Sequence, residues 1–187
     1  RLALVELDVD DLPYFKVMVE GPTAAGGEEL CPGDHVYIWM TGYQHHGIVL
    51  DVTPTTMKVA EFTNAALEQT MFHSGSVPVA SRTLSTGVQN NWQTILVEDP
   101  STWHKAKYQA NGLECWSWRP GTCYDATPDP PPVILCRIEF LMGNRHVLPD
   151  YHLLQCNCEM VAYWCSTGRW MTRQGDAALK SATGVLP

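Results

Sequence analysis

Three runs of β-type residues, His35–Met40 (HVYIWM), Gly47–Val52 (GIVLDV) and Met57–Thr63 (MKVAEFT), follow one another with only turn-sized connections between them. Parallel strands need a crossover of a dozen or more residues, so runs this closely spaced are restricted to antiparallel pairing. Their Val, Ile, Tyr, Trp and Thr content suits a pleated, half-buried surface. Pro32-Gly33-Asp34 makes a turn before the first run, Thr41–Gln44 a turn after it, and Pro54 marks the turn between the second and third. The residues therefore predict an antiparallel sheet, with Gln93–Glu98 (QTILVE) as a further strand after the polar, turn-rich stretch from Ser81 to Asn91.

The helical signals come later in the chain. Beyond the Pro130-Pro131-Pro132 run, Ile134, Ile138, Leu141 and Met142 recur at the spacing of an amphipathic helix that Gly143 can end. A second helix is predicted with Asn157 as N-cap, Val161, Trp164 and Cys165 in helical register, and Gly168 as its stop. Sheet first and packed helices afterwards describe an α+β domain. Its 187 residues suffice for one such unit. Residues 1–30, with a Gly-rich stretch from Gly21 to Gly27, are read as an N-terminal arm, 31–170 as the domain and 171–187 as a C-terminal tail. Residues 100–132, with Trp103, Trp116 and Trp118 among Gly and Pro, are read as an inserted surface loop offering an aromatic contact surface.

A net charge of -8 without any basic stripe argues against a nonspecific grip on nucleic acid or on an anionic membrane face. The longest apolar runs fall far short of the roughly 20 residues of a bilayer span. Seven cysteines without a regular framework fit thiols kept reduced in a cytoplasm or an organelle such as a plastid or mitochondrion. Starting at Arg1 without a signal pattern, the sequence is read as a processed form or a fragment. Cys156-Asn157-Cys158 is too tight for a zinc knuckle and has no matching second pair, so neither a metal nor another cofactor is expected.

One cysteine stands where a nucleophile would. Directly after the Asn157 cap, Cys158 falls in the first helical turn, where backbone N–H groups and the helix dipole favour a thiolate. It shares a helix face with Val161, Ala162 and Cys165, which would press this end against the sheet. A strand carrying His45 beside that helix would supply the base, and Glu61 on the next strand would orient its ring. Blander readings stand beside each: an inert buried thiol for Cys158, a surface carboxylate for Glu61, and for His45 and His46 an ordinary strand pair facing opposite sides. Strand periodicity does not say which histidine faces the sulfur.

Pro32-Gly33-Asp34-His35 followed by Tyr43-Gln44-His45-His46-Gly47-Ile48, and Asn157-Cys158-Glu159 continuing to Trp164-Cys165-Ser166-Thr167-Gly168-Arg169, resemble the two motifs of the lecithin:retinol acyltransferase-like family. The likeness covers about residues 31–170, with His before Cys as in a permuted papain-like domain. It implies an α+β fold, a Cys158 acyl-enzyme with His45 as base, and a lipid ester such as a phospholipid as acyl donor. Glu61 stands where the family commonly has a second histidine, and Met160 where it has the histidine after "NCE". Residues 100–132 have no clear family counterpart, and the membrane anchor of some members is absent. Two functions follow: a thiol acyltransferase or hydrolase, or a catalytically idle domain serving as a structural or adaptor subunit of a larger, organellar complex. Protein partners are expected at the arm and the Trp-rich segment.

Overall fold

The computed structural model describes residues 21–40, 43–63, 82–84, 92–117, 120–152 and 156–173. Six strands form one sheet: β1 (His35–Trp39), β2 (Gln44–Val52), β3 (Met57–Phe62), β4 (Arg82–Leu84), β5 (Trp92–Val97) and β6 (His104–Lys105). Their spatial order is β4-β5-β3-β2-β1-β6, and every pairing is antiparallel. Three helices follow the fifth strand: α1 (Gly112–Ser117), α2 (Pro131–Gly143) and α3 (Cys158–Thr167). The expected α+β architecture is present, and the predicted strands and both predicted helices lie where their patterns put them, with ends shifted by a few residues.

Alternation along the strands sorts the core into two layers. On one face Val36, Ile38, Val49, Val59, Ile95 and Val97 pack with Leu30 and Trp103. On the other, Ile48, Ala60, Phe62 and Trp92 meet Ile134, Ile138 and Leu141 of α2 and Val161, Ala162 and Cys165 of α3. The helix positions are those of the sequence pattern, because the residues one turn apart are the ones that face the sheet. Pro131 begins α2, where its lacking N–H costs nothing.

Three expectations about the chain's margins and middle need correcting. Trp103 is 1% exposed and sits in the core, so residues 100–132 are not a bare surface loop; the segment contributes β6, α1 and the first turn of α2. The side chains of Trp116 and Trp118 lie outside the described residues. Packing also starts before Cys31: Leu30 is fully buried, and Thr23 pairs with Glu29 as a β-bridge. At the other end, Thr172 and Arg173 are tied to α3, so the tail does not begin as a detached segment at 171. Residues 1–20 and 174–187 lie outside the described residues.

At Gly47, paired with Glu61, β2 lies tight against β3. A Cβ there would stand 2.4 Å from Val59 Cγ1, 2.9 Å from the Ala60 carbonyl oxygen and 3.4 Å from Glu61 Cγ. Because one of these atoms is backbone, the strands themselves would have to part. Gly47→Ala is therefore expected to lower stability by about 1–3 kcal/mol, the usual range for overpacking, as read by urea denaturation. A midpoint equal to that of the unaltered protein would mean that the two strands do not need the missing side chain.

Candidate functional site

The last helix is fixed at both ends. Asn157 is in extended backbone conformation and its Oδ1 accepts the Met160 N–H at 2.9 Å, while its Nδ2 donates to Thr172 Oγ1 at 3.2 Å. An Asn cap of this kind contributes about 1 kcal/mol and sets where the first turn begins. Gly168 ends the helix in the left-handed region (φ 70°). Arg137 Nη1 reaches from α2 to the Cys165 carbonyl at 3.0 Å and to Asp129 Oδ2 at 2.6 Å, locking the helix's far end. Cys158 is thereby held as the first residue of α3, with its backbone N–H at the helix start turned to the Tyr151 hydroxyl.

The structure brings Cys158, His45 and Glu61 together. His45 Nε2 lies 3.2 Å from Glu61 Oε1, and both side chains are buried. The Cys158 sulfur is close enough to the same ring to raise its pKa. Glu61 is held from its other side by Gln93, whose Nε2 donates to Oε2 at 2.8 Å across the β3–β5 ladder. Burial by itself would push the His45 pKa down; the Glu61 carboxylate and the Cys158 sulfur outweigh it and raise the value to about 10. A buried cation between two acceptors is the result.

Tyr151 closes the site from the side of the chain that leads into α3. Its hydroxyl is 3.7 Å from the Cys158 sulfur and its ring lies tilted against Phe62, with centroids 5.6 Å apart. Burial first, then the neighbouring Cys158, raises the Tyr151 pKa, so the phenol stays protonated and able to donate. The sulfur also lies 3.9 Å from the Gln44 carbonyl oxygen. Beside it Ile48, Ala60, Phe62, Trp92 and Ile138 pack as apolar core, too tightly to admit a water.

His46 has a different set of partners from its neighbour. Its Nδ1 is 2.8 Å from His35 Nε2, and His35 Nδ1 is 2.7 Å from the Tyr108 hydroxyl. Burial lowers the pKa of His35 to about 3, and burial with the adjacent histidines lowers that of His46 too. Both are neutral at physiological pH, so one proton per ring must be shared along a single direction of the chain. Electrostatics thus separates the two adjacent histidines, which periodicity alone does not.

Glu159, next to the sulfur, is fully buried. Its carboxylate accepts hydrogen bonds from Tyr124 Oη at 3.1 Å, from Thr172 Oγ1 and from the Arg173 backbone N–H at 2.9 Å. It fastens the loop before α2 and the residues after α3 to the helix start. His35 and Glu159 stand in the two motifs of the sequence but carry no expected role there, whereas Gln93, Tyr151 and Tyr108 are not candidates on sequence. Gln93 has a local signal, since it lies on a predicted strand; Tyr151 and Tyr108 meet the site through contacts that sequence pattern does not show. Among the described residues no group of three or more His, Cys, Asp or Glu side chains is arranged to hold a metal, and no helix is long and apolar enough to cross a membrane.

Comparison with known proteins bears on residues that this geometry joins. The profile of the lecithin retinol acyltransferase family matches residues 28–171. Protein LEAD-SENSITIVE 1 of Arabidopsis thaliana is 29% identical over 171 residues, an alignment covering 79% of this chain and 64% of that protein. The chain thus spans under two thirds of the length of that relative. No solved structure matches it. With the match running from before β1 to beyond α3, this chain belongs to the lecithin retinol acyltransferase family.

Proposed function

We propose that this protein is a thiol acyltransferase or hydrolase that carries its acyl group on Cys158. The observation that carries the reading is the buried contact chain from Glu61 through His45 to a sulfur at a helix start. In that chain Cys158 is the nucleophile, His45 the proton carrier and Glu61 the group that orients and charges the ring. His before Cys in one antiparallel sheet-and-helix unit supports a permuted papain-like arrangement of the same parts.

The Cys158 thiolate attacks an ester carbonyl carbon, and the carbonyl electron pair moves onto oxygen. The Cys158 backbone N–H, at the helix start beside the Tyr151 hydroxyl, turns to that oxyanion as the intermediate forms. When the intermediate collapses, the carbon–oxygen bond of the leaving alcohol breaks and the His45 imidazolium supplies its proton. A thioester remains. His45, now neutral, takes a proton from water or from an acceptor alcohol or amine, which attacks the thioester and regenerates the thiolate with the imidazolium. Family membership favours a phospholipid ester as donor. A thiolate nucleophile requires a reducing compartment, cytoplasmic or organellar.

Intact-protein mass spectrometry after incubation with phosphatidylcholine vesicles, and separately with a water-soluble nitrophenyl ester, tests the reading. One acyl group on Cys158, absent in Cys158→Ser, is expected. Acylation by the soluble ester alone would keep the enzyme and remove the phospholipid. Slow, uniform modification of all seven cysteines would favour the idle structural subunit instead.

A further inference from the structure

Cys115, in α1, and Cys123 have their sulfurs 3.6 Å apart. Two independent sets of bonds put them there, and both refer to Lys107. From the α1 side, Asn111 and Glu114 cap the helix reciprocally: Glu114 N–H donates to Asn111 Oδ1 at 2.9 Å, and Asn111 N–H to Glu114 Oε2 at 3.0 Å. Lys107 Nζ then bonds Glu114 Oε1 at 2.8 Å, and the Cys115 N–H donates to the Asn111 carbonyl at 3.0 Å. From the other side, Cys123 bridges Lys107 in parallel: Lys107 N–H donates to the Thr122 carbonyl at 3.0 Å, and Tyr124 N–H to the Lys107 carbonyl at 2.8 Å.

We infer that Cys115 and Cys123 are a thiol pair that closes into an intramolecular disulfide when it meets a small-molecule disulfide such as oxidised glutathione. The S–S bond is about 2.05 Å, so closure needs the sulfurs to approach by roughly 1.5 Å. Side-chain rotation supplies that where both backbones are already placed. Cys115 is half-buried and is the sulfur an oxidant reaches; Cys123 is buried. Burial, then the neighbouring Cys115 sulfur, pushes the Cys123 thiol up to about 11, while the Lys107 and Arg173 cations oppose the rise.

The steps balance. The Cys115 thiolate attacks one sulfur of glutathione disulfide, forming a mixed disulfide and expelling one glutathione thiolate. Cys123 gives up its proton to solvent, its sulfur displaces the second glutathione, and the protein disulfide forms. Two protein thiols are oxidised and one glutathione disulfide is reduced to two thiols. The bond ties α1 to the strand-like residue directly before Tyr124, whose hydroxyl reaches Glu159 beside Cys158. Oxidation is thus felt one hydrogen bond away from the helix start, without using the Cys158 sulfur. The other cysteines have no such partner geometry: Cys31 and Cys136 are exposed, and Cys156 and Cys165 are buried with their thiol pKa values raised by that burial.

The full chain, treated with oxidised glutathione and then alkylated without reduction, should lose two hydrogens and yield a cross-linked peptide joining Cys115 to Cys123. Cys123→Ser should stop at a glutathione adduct on Cys115, and Cys115→Ser, the change at the less buried position, should leave Cys123 alkylatable once unfolded. A lasting glutathione adduct on Cys115 of the unaltered chain, a bridge from Cys115 to any other cysteine, or two unmodified thiols would each overturn the inference. None of these readouts depends on acyl transfer, so the pair stands or falls apart from the function proposed for Cys158.

Discussion

Replacing His45 by alanine is expected to slow acylation of Cys158 by about 10²–10⁴, the range that a positioned acid–base side chain contributes. The size follows from what the ring does twice in one turnover. It is the sulfur's proton partner before attack and protonates the leaving oxygen afterwards. No other described titratable side chain offers that combination. His46, one residue away, is engaged with His35 and its pKa is lowered, so it has no proton to give at neutral pH. Alanine would also strand the buried Glu61 carboxylate, and an uncompensated buried charge costs on the order of 3–5 kcal/mol. His45→Gln avoids that confusion, because an amide still donates to Glu61 and carries no transferable proton. Both variants should lose acylation, with the glutamine variant melting close to the unaltered protein. An acylation rate within a few-fold of the original in His45→Gln would remove His45 from the chemistry.

What the sequence made legible and what it did not divide along a physical line. Strands β1 to β3 and helices α2 and α3 were readable because each is set by a repeating burial pattern and by local punctuation. Asn157 and Gly168 bound α3 as their types predict, through one side-chain bond and one left-handed residue. The segment from 100 to 132 was misread for the complementary reason. Trp103 is buried in the layer of Leu30, Val36, Val49 and Val59, residues far off in sequence that leave no periodic trace around it. Proline-rich composition signalled a surface loop, although Pro131 in fact opens a helix, where proline is at home. The same limit applies within the site. Glu61 is placed on a strand by pattern, yet whether it faces water or His45 depends on which residues cover it. Gln93 and Tyr151 enter only through such coverage.

Glu61→Gln is expected to cut kcat/KM by about 10² and to move its alkaline limb downward by at least one pH unit. The His45 pKa of about 10 results from a contest in which burial lowers it while the Glu61 charge and the Cys158 sulfur raise it. Removing the carboxylate charge leaves burial opposed by the sulfur alone, so the folded-state value must fall. In the unaltered protein the imidazolium persists until the pH passes about 10; leaving-group protonation should fail above that point. In the variant it should fail nearer neutrality. Stability follows the same sign. A histidine whose folded pKa lies above its unfolded value of roughly 6.5 stabilises the fold fully below the unfolded value and loses that contribution as pH rises through the folded one. The unaltered protein should therefore weaken between pH 7 and 10, and Glu61→Gln should show much less of that slope. Gln93 can still donate to the new side chain's carbonyl, so the ladder between β3 and β5 keeps its bond and the comparison isolates charge. A pH–rate profile of Glu61→Gln that overlays the original, with the alkaline limb unmoved, would show that Glu61 neither charges nor orients His45, and the relay would shorten to sulfur and imidazole.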